Sequence, residues 1–142
     1  LEDGNPVWMG CDVGKQMHRQ RGLWDANLFD FAALYGSEFG MDKANRLRFG
    51  QTMMTHAMLF TGVDVVNGKP RRWRVENSWG EKESGKKGFY TMNDSWYDEY
   101  MFEIACPSDY LSDKMKAGLD SEPIVLPAWD PMGSLAHDEA LA

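Results

Sequence analysis

His56-Ala57-Met58-Leu59-Phe60-Thr61-Gly62-Val63-Asp64-Val65-Val66 and Lys69-Pro70-Arg71-Arg72-Trp73-Arg74-Val75-Glu76-Asn77 flank Asn67-Gly68. The first run is rich in β-branched and aromatic residues, as strands are. Asn-Gly between two such runs predicts a type I′ hairpin, because both central residues of that turn need positive φ. In the return run Trp73 and Val75 alternate with Arg72, Arg74 and Glu76, so one face is expected inside and the other in water. Antiparallel pairing then brings the two ends of the hairpin side by side. His56 begins one strand and Asn77 ends the other, so residues 21 apart in sequence are expected as spatial neighbours.

Outward from the hairpin the elements are short. Val7 to Asp12, in the run Pro6-Val7-Trp8-Met9-Gly10-Cys11-Asp12, predicts a buried strand. Asp25 is placed to cap a helix over residues 26–34 that stops near Gly36. A loop follows to Gly50, with a helical turn over 42–47. Residues 88–92 and 100–106 predict two further strands, with a turn at Asp94-Ser95-Trp96. Ser108 is placed to cap a helix through Lys116, and Pro123, Pro127 and Pro131 make residues 122–133 extended. The fold class is therefore α+β, one domain with short helices.

Composition narrows the function classes. The 142 residues carry a formal net charge of −7, which disfavours phosphate backbones as partners, so no nucleic acid is expected. No apolar run reaches the roughly 18 residues of a membrane span. The two cysteines, Cys11 and Cys106, and three scattered histidines form no CxxC or HExxH, so neither a metal nor any other cofactor is expected. Such sparse cysteine use suits a reducing, cytoplasmic setting. The chain opens Leu1-Glu2-Asp3-Gly4-Asn5 without an initiator Met, as a fragment or processed chain would.

An imidazole beside an amide has a use. A thiol nucleophile needs an imidazole to take its proton, and the ring needs an acceptor on its far nitrogen to hold it in place. Asn77 offers that acceptor, and Trp79 can exclude water from the bond. On spacing alone the bland reading stands equally: Asn77-Ser78 ends a strand and Trp79 fills the core. Arg71, Arg72 and Arg74 read as a solvated strand face, and His18 as an exposed residue in a polar stretch.

Thr55-His56-Ala57 and Asn77-Ser78-Trp79-Gly80 resemble the histidine and asparagine motifs of papain-like cysteine proteases. Four blocks resemble, in order, the C-terminal portion of the bleomycin hydrolase and aminopeptidase C branch: Val7 to Lys15, Met54 to Met58, Trp73 to Glu81, and Glu122 to Gly133. The resemblance implies a papain-like fold, of which this chain is the β-barrel lobe (residues 1–133) with an extended C-terminal arm (134–142). It implies His56 as general base and acid, Asn77 as its orienter and Trp79 as the shielding aromatic. It implies peptide substrates, an upstream Cys-bearing part of the same enzyme, and a hexamer. In the family the terminal carboxylate of the arm meets the substrate amine. The corresponding position is Ala136, whereas this chain runs on to Ala142. Cys11 and Cys106 lack the context of the family's nucleophile and read as structural. Two rivals remain: a non-catalytic β-lobe for binding or assembly, and a self-contained thiol enzyme using Cys11, which requires its sulfur within reach of the His56 ring.

Overall fold

The computed structural model describes residues 1–82 and 85–136, the last three by backbone only. Seven strands form one curled sheet, a half-barrel: β1 (Val7–Cys11), β2 (Met17–His18), β3 (Leu23–Trp24), β4 (His56–Val66), β5 (Lys69–Glu76), β6 (Phe89–Asn93) and β7 (Met101–Ala105). Their order is β2-β3-β6-β5-β4-β1-β7. All pairs are antiparallel except β3 with β6.

The hairpin sits at the centre of this sheet. Asn67 and Gly68 both have positive φ, 52° and 74°, as a type I′ turn requires. In β5, Val75 is fully buried and Trp73 half-buried, while the arginines and Glu76 are exposed. Phe60 pairs with Val75, and a bulge between Phe60 and Gly62 sharpens the curl.

The sheet wraps a core of aromatic and sulfur side chains. Met9, Cys11, Met58, Phe60, Val75, Tyr90 and Met92 project from four strands onto Trp24 and Trp96. Trp24 lies 4.7 Å from Tyr90 and 5.7 Å from Trp96, centroid to centroid. Both buried indoles place their N–H: Trp24 donates to the Val13 carbonyl (3.0 Å) and Trp96 to that of Lys15 (2.7 Å). Burial without such partners would cost about 1–3 kcal/mol each.

Trp96 belongs to a helix where the sequence suggested a turn. Four helices are described: α1 (Phe31–Tyr35), α2 (Lys43–Arg48), α3 (Asp94–Tyr100) and α4 (Asp113–Leu119). In α3, Trp96, Tyr97 and Tyr100 form an i, i+1, i+4 face toward the sheet, and Tyr97 stacks on Trp73 at 4.8 Å. The polar Asn93-Asp94-Ser95 opens this helix instead of turning the chain.

Two helix starts also differ from expectation. Asp25 caps nothing: it accepts from the Asn27 N–H (2.8 Å) and from Asn93 Nδ2. Gln16 explains the delay of α1. Its side-chain amide takes both backbone groups of Phe29, accepting from the N–H at 2.9 Å and donating to the carbonyl at 3.1 Å. The helix starts only after them, capped by Asp30, and ends at left-handed Gly36. Likewise α4 is capped by Ser112, and Ser108 lies in a 3-10 turn. α2 lies where the helical turn was expected, capped by Asp42. Residues 122–127 carry no regular structure, and 127–130 make a turn with the Asp130 N–H donating to the Pro127 carbonyl (2.9 Å). A 3-10 helix over Pro131–Ala136 stands where extended chain to 133 and an extended arm beyond it were expected; that helix docks on α2 and places the Pro131 carbonyl 3.5 Å from the Met54 N–H.

Outside the core, Phe29, Phe31, Tyr35 and Phe39 form an exposed row with successive ring centroids 6.0–6.4 Å apart.

Candidate active site

His56 is the first residue of β4, held between two neighbours. On one side it pairs with Cys11 of β1. The approach to it is clamped onto the end of β1: the Thr55 N–H donates to the Cys11 carbonyl (2.9 Å), and the Val13 N–H donates to Thr55 Oγ1 (3.2 Å). Just before, Thr52 Oγ1 donates to the buried carboxylate of Asp12 at 2.7 Å.

On the other side lies β5. The pairing of Leu59 with Glu76, carried one residue on, sets Asn77 opposite Met58. His56 and Asn77 are thus diagonal neighbours on the inner face, the offset that a two-residue turn at Asn67-Gly68 sets, since the two bulges between β4 and β5 cancel. Side chains of their length bridge that diagonal. His56 Nε2 and Asn77 Oδ1 stand 2.8 Å apart. The Ser78 N–H donates to the same Oδ1 at 2.8 Å. Only the amide oxygen can accept it, so the atom facing the ring is oxygen and Nε2 must carry the proton. Nδ1 is then the nitrogen with a lone pair, and no hydrogen bond reaches it among the described residues. Asn77 Nδ2 is buried and has no hydrogen-bond partner among them.

Trp79 covers the pair, its ring 5.2 Å from that of His56 and edge-on to Tyr90 at 6.1 Å. Arg19 completes the stack from the β2–β3 turn, its guanidinium 4.9 Å from the Trp79 centroid. Nothing in the sequence signals that contact; Arg19 stands in a polar stretch 60 residues before Trp79. The Thr55 clamp left no signal either.

Cys11 does not serve His56. Its sulfur is buried and donates to the His56 backbone carbonyl at 3.7 Å, not to the ring. Burial, with the Asp12 charge adding to it, pushes the thiol pKa far above its ordinary value. A thiol so held is a poor source of thiolate. Cys106 lies beyond β7, and both cysteines are free. Ala136 ends the 3-10 helix that docks beside Met54, and Ala142 lies outside the described residues. His18 is half-buried in β2, its Nδ1 accepting from the Arg21 N–H at 3.4 Å, so it is not the free surface residue expected. Among the described residues no group of three His, Cys, Asp or Glu could hold a metal, and no helix is long and apolar enough to cross a membrane.

A half-barrel that carries a histidine and an asparagine on one inner edge, under a tryptophan, defines the papain-like class. Residues 1–133 match the model of the Peptidase C1-like family, and the chain belongs to that family, with bleomycin hydrolase and aminopeptidase C. It is 48% identical over 141 residues to bleomycin hydrolase of Homo sapiens, covering 96% of this chain and 31% of that protein. It is 45% identical over 136 residues to aminopeptidase C of Listeria monocytogenes, with the same shares. The crystal structure of PepW from Lactobacillus rhamnosis superposes with a TM-score of 0.85 at 44% identity, covering 93% of this chain and 30% of that one. The chain thus spans about a third of the length of the curated relatives it matches.

Proposed function

We propose that this chain is the histidine-bearing lobe of a cysteine aminopeptidase, the reactive thiol being supplied by polypeptide outside these 142 residues. The observation that carries the reading is the His56–Asn77 contact with its fixed tautomer. Asn77 holds the Nε2 proton, which leaves the Nδ1 lone pair to take a proton from a thiol. The thiolate attacks the peptide carbonyl, and the imidazolium at Nδ1 then protonates the departing amine. After the amine leaves, the neutral ring takes a proton from water, the hydroxide attacks the thioester, and the thiolate departs as the acid is formed. Trp79 keeps water off the Nε2–Oδ1 bond, where a low dielectric strengthens it. His56, Asn77 and Trp79 are thus assigned the roles of general base and acid, orienter and shield.

Peptide substrates and exopeptidase register are part of the same proposal. The return of residues 131–136 to the start of β4 supports a role for the arm near Ala136 in meeting the substrate amine. The exposed aromatic row and the exposed Ile124, Val125 and Trp129 support packing against further polypeptide, including other copies in an oligomer. The division into a lobe and an arm after residue 133 belongs with this reading.

The test is hydrolysis of N-terminally free peptides by the complete polypeptide. His56→Ala is expected to abolish turnover. Asn77→Ala removes a hydrogen bond to a group that becomes charged, about 1.5–3 kcal/mol, so kcat should fall roughly 10- to 150-fold. Unchanged kcat in Asn77→Ala would remove Asn77 from the mechanism. Unchanged turnover in His56→Ala would leave a non-catalytic lobe.

A further inference from the structure

We propose that Arg19 forms a carboxylate-binding subsite beside the His56–Asn77 pair, selecting peptides with negative charge within the first three residues of the leaving segment. The proposal rests on the peptidase reading above and adds a substrate class to it.

The position of Arg19 is built, not incidental. Its carbonyl accepts from the Gly22 N–H (3.0 Å) and the Gly85 N–H (3.3 Å), which ties the β2–β3 turn to the loop before β6. The two chains cross so closely that a Cβ on Gly22 would lie 2.4 Å from Gly85 Cα. A Cβ on Gly85 would lie 2.4 Å from the Phe89 carbonyl oxygen. Both glycines also have positive φ. The crossing fixes the backbone that sends the guanidinium onto Trp79, and the ring orders it further.

Its charge has no acidic partner among the described residues. Arg46 and Arg71 are paired with Glu99 and Asp64. No carboxylate lies within 4.0 Å of Arg19 among the described residues. In sequence the two segments, 19–22 and 80–88, hold Arg19, Arg21, Lys82, Lys86 and Lys87 against Glu81 and Glu83. This is a local excess of positive charge on a chain of net charge −7. Guanidinium presents a fixed fork of donors suited to a carboxylate.

Mechanism gives the direction. The departing amine receives its proton from the imidazole, so the leaving segment starts at His56. The His56–Trp79 and Trp79–Arg19 contacts in series span at most about 10 Å, or roughly three residues of extended chain. An acidic side chain, or the terminal carboxylate of a short peptide, falls in that range.

The test uses the complete enzyme and pairs of C-terminally amidated peptides that differ only by Glu or Gln at the second residue of the leaving segment. At low ionic strength the wild type is expected to favour Glu about fivefold in kcat/KM, as for a partly exposed ion pair. The ratio should shrink with added salt. In Arg19→Gln it should fall to about one, and Arg19→Lys should retain a preference. The released peptides give a second reading in wild type alone: the Glu product should inhibit about fivefold more strongly than the Gln product. A wild-type ratio of one, an unchanged ratio in Arg19→Gln, or equal product inhibition would each overturn the subsite while leaving the peptidase reading intact. No hydrolysis of either peptide by wild type would overturn that reading, and the subsite with it.

Discussion

Alkylation of the two thiols separates a site whose nucleophile lies outside these 142 residues from a self-contained one. The perturbation is iodoacetamide at neutral pH, applied to the native complete polypeptide and read by peptide mapping over time. Cys11 has no solvent-exposed surface, and its sulfur is engaged with the His56 carbonyl. An ordinary thiol with a pKa near 8.5 is a few per cent thiolate at pH 7. Burial pushes the Cys11 thiol well above that range, so its thiolate in the folded state is negligible. Reaction then requires opening of the half-barrel, where β1 is paired on both sides. Opening that approaches global unfolding costs about 5 kcal/mol or more, which slows labelling at least ~10³-fold relative to a free thiol. Of these two thiols, half-exposed Cys106 should react before Cys11. Cys11 labelling as fast as that of Cys106, with loss of turnover in step, would refute the reasoning and restore Cys11 as the nucleophile.

Other outcomes follow from the same contacts. Because the folded Cys11 pKa is raised, its contribution to stability is intact below the unfolded thiol pKa and is lost as pH rises through about 8.5. Urea denaturation between pH 8.5 and 10 should show a decline approaching ~1.4 kcal/mol per pH unit that Cys11→Ala lacks; equal slopes would discount it. Thr52→Val leaves the buried Asp12 carboxylate without its closest donor and should destabilise by about 1.5–3 kcal/mol, measured as a shift in the denaturation midpoint. An unshifted midpoint would mean that Asp12 is solvated in another way. Gly85→Ala cannot be relieved by side-chain motion, since the Cβ meets a backbone oxygen. It should cost about 1–3 kcal/mol and separate Arg19 from Trp79, seen as a changed tryptophan emission. Wild-type stability and emission would show that the crossing is loose.

Much of this was legible because the decisive signals are local. Asn67-Gly68 specifies its own turn, and the alternation about Trp73 and Val75 specifies which face is inside. From those two facts the hairpin, and with it the His56–Asn77 proximity, follows by geometry. Resemblance of the four blocks then named the family. What was not legible depended on distant partners. Gln16 holds Phe29 and so delays α1, and no residue near Asp25 announces it. Asn93-Asp94-Ser95 suits a turn as well as a helix start, and tertiary burial of Trp96 and Tyr100 decides for the helix. The two bulges of the hairpin, between Asp64 and Val65 and between Phe60 and Gly62, leave no mark in the sequence; they cancel, so the register at Asn77 is the one the turn sets. Strands as short as β2 and β3, two residues each, depend on distant pairing: β3 is received by β6, and β2 in turn by β3.

The hairpin that joins the pair also separates it from the outside. Asn67 and Gly68 lie 11 and 12 residues beyond His56, some 30 Å or more along β4 at about 3.3 Å per residue, with the bulge at Phe60 between them and the chemistry. Register at the open end is secured by β1 and β6 as well as by the turn. The tip is therefore a natural site for grafting: an added segment, an epitope or a fluorescent reporter placed there can ride on the lobe without passing its strain to the imidazole.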